Sequence, residues 1–380
     1  MNPPSLTPGG IYVHLPYCVS RCEYCAFVVT TDESSRGRYL DALIRECELV
    51  APETARARFD SIYLGGGTPS RVPAGEISRL LTELRRAFDV DASAEVTLEA
   101  NPDDVTAELV RAWRACGITR VSGGVQSFED RELSAVGRRH DAATARHALE
   151  LLSDEGFSVS ADLILGLPEQ TPETFERSVG QLLDSRVPHV SIYLLETEKS
   201  KTIEQDRRLR PERYLSDDTQ AELWLSVAER LRCAGYVHYE VSNWAIPGRQ
   251  ARHNCKYWER VSTLGFGVSA HELWGGRRRA NVSALPAYFA EIEAGRRPTA
   301  LDQPVDAEEA AREGIVLGLR LARGVAWSDI EAWLDSHPDS ALEEDLESWQ
   351  GAGLAARENG RLHLTERGFL VSNEILCRFV

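Results

Sequence analysis

The sequence has no apolar run of about 20 residues, the length that a membrane-spanning helix needs. Its first ten residues carry neither a cluster of positive charges nor an apolar stretch, so they lack the pattern of a secretory signal. We therefore expect a cytoplasmic protein. In that compartment cysteine thiols stay reduced, and a group of them binds metal more often than it forms disulfides.

Positive charge is in deficit. The chain has 43 Lys and Arg residues against 59 Asp and Glu residues, which gives a formal net charge of −16 at pH 7. A protein that coats nucleic acid or anionic lipid needs the opposite balance. We therefore expect neither a nucleic-acid partner nor membrane insertion, while docking on a membrane protein remains compatible with this charge.

A fourth cysteine is missing beside the triplet Cys18, Cys22 and Cys25, which has the spacing Cys-x3-Cys-x2-Cys. Structural zinc sites use four ligands, and ordinary ferredoxin clusters use four cysteines. Three thiolates on one short loop instead predict a [4Fe–4S] cluster with one iron free of protein ligands, where a second molecule can bind. The alternative is a zinc site that borrows His14 or a more distant ligand.

Six short strand-like segments alternate with amphipathic helical segments between residues 11 and 234. Such β–α repeats predict an α/β fold with a parallel sheet and right-handed crossovers. We expect a partial (β/α)6 barrel whose chemistry lies at the C-terminal ends of the strands. The predicted strands are 11–15, 61–64, 95–99, 119–122, 159–164 and 190–194, and the predicted helices are 35–50, 74–87, 106–116, 130–136, 141–155, 172–185 and 217–234.

Two further segments follow a barrel domain assigned to residues 1–235. Residues 236–305 are rich in aromatics and glycine and lack a regular pattern, and we expect an extension that completes the site. Residues 306–380 predict a small, mostly helical, winged-helix-like domain with 15 Asp and Glu residues against 7 Arg, which argues against DNA reading. Its predicted elements are helices at 307–320, 327–334 and 340–350, an Asn-Gly hairpin turn at 359–360 and a last helix at 365–378.

Polar motifs lie at the predicted strand ends. The glycines of Gly65-Gly66-Gly67-Thr68-Pro69 let the backbone approach a ligand, or simply form a tight turn. Glu99 closes the third strand. At that position its carboxylate either accepts hydrogen bonds from the ribose hydroxyls of a ligand or is simply solvated. Gln126 and Asp162 also lie at or beyond strand ends, and Arg138 is a candidate partner for a ligand carboxylate.

A separate motif, His253-Asn254-Cys255-Lys256-Tyr257-Trp258, lies outside the β–α repeat. His253 is a possible haem or metal ligand, and Tyr257 and Trp258 could stack on a flat macrocycle. In the alternative interpretation, aromatics anchor the loop and His253 is hydrogen-bonded inside the protein. The sequence leaves both interpretations open.

Over nearly its whole length, the chain resembles the HemN-like branch of the radical SAM superfamily. The resemblance is carried by residues 12–16, 18–25, 65–70, 98–102, 124–128, 162–168, 239–244 and 253–258. The last two segments resemble the HemW haem chaperones most closely. The related oxygen-independent coproporphyrinogen III oxidase has a further cysteine where this chain has Phe27, and a longer extension where 17 residues precede Cys18 here. Both differences favour the chaperone side.

The resemblance implies a [4Fe–4S] cluster, S-adenosyl-L-methionine and haem as cofactors. Ala26 replaces a common Asp and Gly123 a usual aliphatic residue, and we expect the second change to loosen the fourth strand beside Gln126. The residues carried over from the family are Cys18, Cys22 and Cys25 for the cluster, Tyr12, Tyr24, Gly66, Gly67, Thr68, Glu99, Gln126, Arg138 and Asp162 for S-adenosylmethionine, and His253 for haem.

Two functions follow from this resemblance. The first is a chaperone that binds haem and transfers it to respiratory or membrane haemoproteins. The second is a radical SAM enzyme, such as the oxidase or a HemN-like methyltransferase, in which a reduced cluster cleaves S-adenosylmethionine to a 5′-deoxyadenosyl radical. Phe27 favours the chaperone. We predict no catalytic residue, and the sequence leaves open whether the chain is an enzyme.

Overall fold

The computed structural model describes residues 7–54, 57–338 and 340–380. The prediction that the first ten residues lack a secretory signal falls mostly outside this part of the chain. Within the described ranges, no helix combines the length and the apolar character that crossing a bilayer requires.

Six parallel strands pair side by side in chain order and are followed by helices, as the β–α repeat predicts. The strands are β1 (Gly9–Leu15), β2 (Arg58–Gly66), β3 (Asp89–Ala100), β4 (Arg120–Gln126), β5 (Ser158–Leu165) and β6 (His189–Leu194). The helices are α1 (Arg36–Val50), α2 (Ala74–Ala87), α3 (Ala107–Ala115), α4 (Asp130–Ala135), α5 (Ala142–Asp154), α6 (Pro172–Asp184), α7 (Lys201–Leu209) and α8 (Asp217–Cys233). The predicted partial barrel is confirmed, and α7 is an addition that the sequence did not predict.

The two faces of this sheet have different chemistry because successive strand residues point to opposite sides. On β2, Ile62 and Leu64 belong to the main apolar core. Ser61 and Tyr63, which alternate with them, contact the His253 ring on the other side. The inner face of the barrel is therefore polar, and the candidate site is built on it.

The extension of residues 236–305, whose sequence has no regular pattern, continues the sheet. β9 pairs parallel with β1 and β8 pairs antiparallel with β6, which produces a sheet of 12 strands within the described residues. The elements are β7 (Val237–Glu240), β8 (Asn243–Ala245), α9 (Arg252–Trp258), β9 (Thr263–Phe266), β10 (His271–Trp274), β11 (Arg277–Asn281), α10 (Leu285–Glu293) and β12 (Thr299–Pro304). Strands β7 to β10 have only three or four residues each, which gives too few alternations for a period of two to be recognised.

One buried carboxyl attaches the extension to α1. Glu46 is 0% exposed and accepts hydrogen bonds from the Gly267 N–H at 2.8 Å, the Asn281 Nδ2 at 2.5 Å and the Tyr288 hydroxyl at 2.6 Å. Burial raises the pKa of Glu46 to about 7, because these neutral donors compensate only part of the lost hydration. The helix that follows the cysteine loop is thereby fixed to the extension.

The C-terminal segment has the predicted winged-helix-like order. Its elements are α11 (Ala307–Gly318), β13 (Val325–Ala326), α12 (Trp327–Ser336), α13 (Ser340–Gly351), β14 (Ala355–Glu358), β15 (Arg361–Leu364), α14 (Glu366–Leu370) and α15 (Ser372–Leu376). Asn359 and Gly360 turn the β14–β15 hairpin with φ of 51° and 73°, as a type I′ turn requires. The predicted single helix at 365–378 is wrong, because Val371 leaves the helical conformation between α14 and α15.

Candidate functional site

The cysteine loop begins at the C-terminal end of β1 and returns to the same place. The Cys18 N–H donates to the Thr30 carbonyl at 2.9 Å, and the Thr30 N–H donates to the Pro16 carbonyl at 2.8 Å. Cys18 is buried, whereas Cys22 and Cys25 are half-buried. Residues 17–30 therefore form a closed loop that presents three thiols at the strand end.

The three thiols lie on one partly desolvated loop. Burial raises the pKa of Cys18 and of Cys25, and the charge of Cys22 raises both further. The Arg138 guanidinium lies beside them, with Nη1 3.6 Å from the Cys22 sulfur. A bound metal centre removes this penalty because it holds its cysteine ligands as thiolates. The donor set therefore fits the iron–sulfur cluster that the spacing predicts.

The zinc alternative does not fit the geometry of His14. Its Nε2 lies 2.8 Å from the Val28 carbonyl and its Nδ1 lies 3.0 Å from the Tyr12 hydroxyl, so both ring nitrogens are engaged. Across the described ranges, no three His, Cys, Asp or Glu side chains are arranged for a single metal ion. His14 instead holds the far side of the cysteine loop against β1.

The glycine-rich segment packs against this loop. The Gly67 N–H donates to the Leu15 carbonyl at 2.8 Å, and a Cβ on Gly67 would lie 2.7 Å from the Pro16 carbonyl carbon. Gly66 has a φ of 111°, and a Cβ there would lie 2.6 Å from the His14 ring. Both glycines are therefore needed for the close approach of the two segments, whichever ligand they also contact.

Arg138 connects the cysteine loop to the strand ends. Its Nη2 donates to the Gly124 carbonyl at 2.6 Å and to the Asn101 Oδ1 at 2.8 Å, and its Nη1 lies 3.4 Å from the Tyr24 hydroxyl. Its Nε is buried and, among the described residues, has no hydrogen-bond partner. Cys22, Asn101 and Arg138 line a shallow, open surface depression. A guanidinium at such an edge is suited to a ligand carboxylate.

Glu99 lies on the inner face, below the glycine-rich segment. One carboxylate oxygen accepts from the Tyr63 hydroxyl at 2.7 Å and the other accepts from the Gly66 N–H at 3.0 Å. Burial raises the pKa of Glu99 to about 7. Each oxygen keeps a second acceptor position, so the carboxyl remains able to accept a hydroxyl of a ligand.

Asp162 and Gln126 lie on the neighbouring strands. Asp162 accepts a hydrogen bond from the Ser122 hydroxyl at 3.1 Å, and burial raises its pKa. Gln126 has a φ of 67°, and the β4–β5 pairing shifts register between Gly123 and Gln126. The ladder is therefore irregular at the place where Gly123 was expected to loosen it.

His253 lies apart from the cysteine loop, on α9. The imidazole is 0% exposed, with Nδ1 2.9 Å from the Ser61 Oγ and Nε2 2.9 Å from the Tyr257 hydroxyl. Burial, and secondarily the charge of Lys256, lowers its pKa to about 3. This geometry corresponds to the second interpretation of the motif, a hydrogen-bonded histidine inside the protein. Tyr63 links His253 to the rest of the site. The centroid of its ring lies 5.3 Å from that of the imidazole, and its hydroxyl donates to Glu99.

The structure thus gathers the predicted residues into adjacent groups. Arg138 contacts Tyr24 and Cys22, and Glu99 is hydrogen-bonded to the glycine-rich segment. Tyr63 and Asn101 complete these groups, and the sequence analysis did not assign them a role. Tyr63 could have been found from its alternation with Ser61 on β2. For Asn101 the only signal was its place just beyond β3.

Comparisons with known proteins agree with this architecture. The model of the radical SAM superfamily matches residues 12–182, and that of the HemN C-terminal domain matches residues 305–371. Heme chaperone HemW of Lactococcus lactis is 30% identical over 98% of this chain and 97% of its own length. Heme chaperone HemW of Mycobacterium tuberculosis H37Rv is 35% identical over 93% of this chain and 92% of its own.

Among solved structures, the radical SAM enzyme coproporphyrinogen III oxidase (HemN) from Escherichia coli superposes with a TM-score of 0.84. It is 25% identical, and the match covers 98% of this chain and 90% of that one. Both HemW relatives match this chain over more than nine tenths of the length of each protein, and the mycobacterial relative is 35% identical. The chain therefore belongs to the HemW family of haem chaperones within the radical SAM superfamily.

Proposed function

We propose that this protein binds haem and transfers it to haem-accepting respiratory or membrane proteins. The observation that carries the proposal is its similarity, over nearly the whole chain, to relatives named heme chaperone HemW. The three-thiol loop and the polar inner face of the barrel support a cluster and S-adenosylmethionine as resident cofactors. Phe27, which is 61% exposed, offers no fourth thiol beside them.

In this proposal Cys18, Cys22 and Cys25 hold the cluster. With S-adenosylmethionine bound, such a cluster supplies one-electron chemistry. Arg138 orients the ligand carboxylate, because its guanidinium is already fixed by Asn101 and Gly124. The backbone of the glycine-rich segment faces the ligand amino group.

Further contacts to the nucleoside come from the inner face of the barrel. Glu99 and Asp162 accept hydrogen bonds from ligand hydroxyls, and Tyr12, Tyr24 and Gln126 complete the pocket. His253 stays the proposed haem contact, on the strength of the motif resemblance. Because both of its ring nitrogens are engaged, coordination of iron requires the Tyr257 or the Ser61 hydrogen bond to open.

The proposed domain division assigns residues 1–235 to the barrel, 236–305 to the extension and 306–380 to the C-terminal domain. The match of the HemN C-terminal domain model to residues 305–371 supports the last boundary. The continuous 12-stranded sheet argues that the first two parts fold as one unit. Limited proteolysis near residue 305 should release the C-terminal domain before the barrel is cut.

Anaerobic titration of the full chain with haem tests the main proposal. We expect a shifted Soret band that saturates at micromolar haem, and loss of that band when a haem-free acceptor protein is added. Absence of any spectral shift would contradict the proposal. A parallel incubation with dithionite, S-adenosylmethionine and coproporphyrinogen III tests the enzymatic alternative, since formation of vinyl groups and 5′-deoxyadenosine would support an oxidase instead.

A further inference from the structure

Thr68 makes a direct contact with one of the cluster thiols. Its hydroxyl donates to the Cys18 sulfur at 3.2 Å, and both side chains are buried, at 6% and 7% exposure. The Thr68 N–H is held by the Tyr17 carbonyl at 2.9 Å, next to Cys18 in the chain. Backbone and side chain of Thr68 therefore fix it to the base of the cysteine loop.

Asn101 determines where the Thr68 hydrogen points. The Asn101 Nδ2 donates to the Thr68 Oγ1 at 3.4 Å. A hydroxyl has one hydrogen to donate, and a hydroxyl oxygen that accepts from Asn101 keeps this hydrogen for another partner. The Cys18 sulfur is the acceptor within reach.

Arg138 in turn determines the orientation of the Asn101 amide. Its Nη2 donates to the Asn101 Oδ1 at 2.8 Å, so the amide oxygen faces the guanidinium and the amide nitrogen faces Thr68. The same guanidinium reaches the Cys22 sulfur with Nη1 at 3.6 Å. One hydrogen-bond network therefore runs from Arg138 to two of the three predicted cluster ligands.

Hydrogen bonds to ligating sulfurs raise the reduction potential of an iron–sulfur cluster, because they stabilise the more negative, reduced form. The effect is larger where the donor and the sulfur are shielded from water. We propose that Asn101 aims the Thr68 hydroxyl at the Cys18 sulfur, so that these two positioning residues set the reduction potential of the cluster. This goes beyond haem transfer, because it concerns the electron affinity of the cluster.

Redox titration of the reconstituted full chain tests this. The protein is loaded anaerobically with iron and sulfide, its iron content is measured, and dithionite delivers one electron to each cluster in the presence of mediators. The ratio of reduced to oxidised cluster is read by visible absorbance and electron paramagnetic resonance at the midpoint potential of the parent protein. No proton leaves Thr68 in this step.

Thr68→Val keeps the shape of the side chain and removes its hydroxyl. We expect the ratio of reduced to oxidised cluster to fall about three- to tenfold, because only the difference in hydrogen-bond strength between the two oxidation states is lost, which is smaller than the whole bond. Thr68→Ser keeps the hydroxyl and should stay within about twofold of the parent. The proposal would be overturned if the ratio in Thr68→Val equalled that of the parent, or if Thr68→Ser lowered the ratio as much as Thr68→Val does. A parent protein that holds no cluster would overturn it as well.

Asn101→Asp tests the aiming step. The new carboxylate oxygen has no hydrogen to donate and accepts one from Thr68, which turns the hydroxyl away from Cys18. We expect the ratio of reduced to oxidised cluster to fall. Because the added charge lowers it as well, the same substitution is made in Thr68→Val, where only the charge acts. An equal fall in the two backgrounds would overturn the role of Asn101.

Discussion

His253 and Tyr257 form a hydrogen bond of 2.9 Å between Nε2 and the phenol oxygen, one turn apart on α9. The other ring nitrogen of His253 is bonded to Ser61 on β2. The fully buried imidazole thus ties α9 to the inner face of the barrel. Whatever else His253 does, it contributes to the stability of this contact.

His253→Ala should lower the free energy of unfolding by about 2–4 kcal/mol, because it opens a cavity and leaves the buried Ser61 hydroxyl without its partner. Tyr257→Phe removes one hydroxyl and should cost about 1 kcal/mol. Urea unfolding followed by circular dichroism measures both. Superimposable unfolding curves of His253→Ala and the parent would contradict the structural role.

The haem proposal makes a different prediction for the same pair. If His253 is the haem contact, His253→Ala weakens haem binding while Tyr257→Phe binds at least as well as the parent, since it releases Nε2. Soret titrations of the two variants under identical conditions give the comparison. Equal haem affinity of His253→Ala and the parent would exclude His253 as a haem ligand.

The barrel was predictable because each of its strands is long enough to show its pattern. Helix α2 falls at residues 74–87 as expected from its apolar spacing. Each of β1 to β6 contains its predicted segment, except that β4 begins one residue after the predicted start at Thr119. The extension was not predictable. Strands such as β8, with three residues, acquire their pairing from neighbours rather than from their own pattern.

Within the site, the sequence indicated which residues have chemistry but not which of them contact each other. The spacing of the three cysteines predicted a shared loop, which the structure has. The position of Arg138 beside Cys22 and Asn101 depends on the turn after α4, where Gly137 has a φ of 73°. The burial of His253 could not be read from its motif either, since both interpretations use the same residues.

Gly67→Ala should disturb the contact between the glycine-rich segment and the cysteine loop. The added methyl would lie 2.7 Å from the Pro16 carbonyl carbon, which is backbone and has no rotamer to give way. We expect a lower melting temperature and less iron bound after reconstitution. Gly75→Ala is the matched control, because a Cβ there meets nothing within 4 Å and alanine favours the α2 helix by about 0.5–1 kcal/mol. Full iron content in Gly67→Ala would contradict this packing.

Glu46 should make stability depend on pH. Its pKa in the folded state is raised to about 7 from an ordinary value of 4.5, so the native state holds its proton more tightly than the unfolded chain does. The contribution is fully present below pH 4.5 and is lost as pH rises to about 7. The loss amounts to about 3 kcal/mol.

Glu46→Gln removes this titration and should flatten the decline of stability between pH 5 and pH 7. Its overall stability should also be lower, since the amide nitrogen cannot accept from the Tyr288 or Asn281 donors. Urea unfolding at several pH values measures the slope. Glu48→Gln is the control, because Glu48 is exposed on the same helix and the hydrogen bond from Arg45 lowers its pKa. An unchanged slope in Glu46→Gln would show that Glu46 titrates normally.

Arg138→Gln should weaken binding of S-adenosylmethionine to the cluster-loaded protein by about 30-fold or more, because a charge-assisted hydrogen bond to the ligand carboxylate is lost. Calorimetric titration under anaerobic conditions gives the dissociation constant. Arg146→Gln is the control, since Arg146 is exposed and bonds only the Gln181 side chain among the described residues.

S-adenosylmethioninamide, which lacks the carboxylate charge, should bind the parent and Arg138→Gln with similar affinity. If the variant loses affinity equally for both ligands, Arg138 acts through the cysteine loop and Asn101 rather than through the ligand carboxylate.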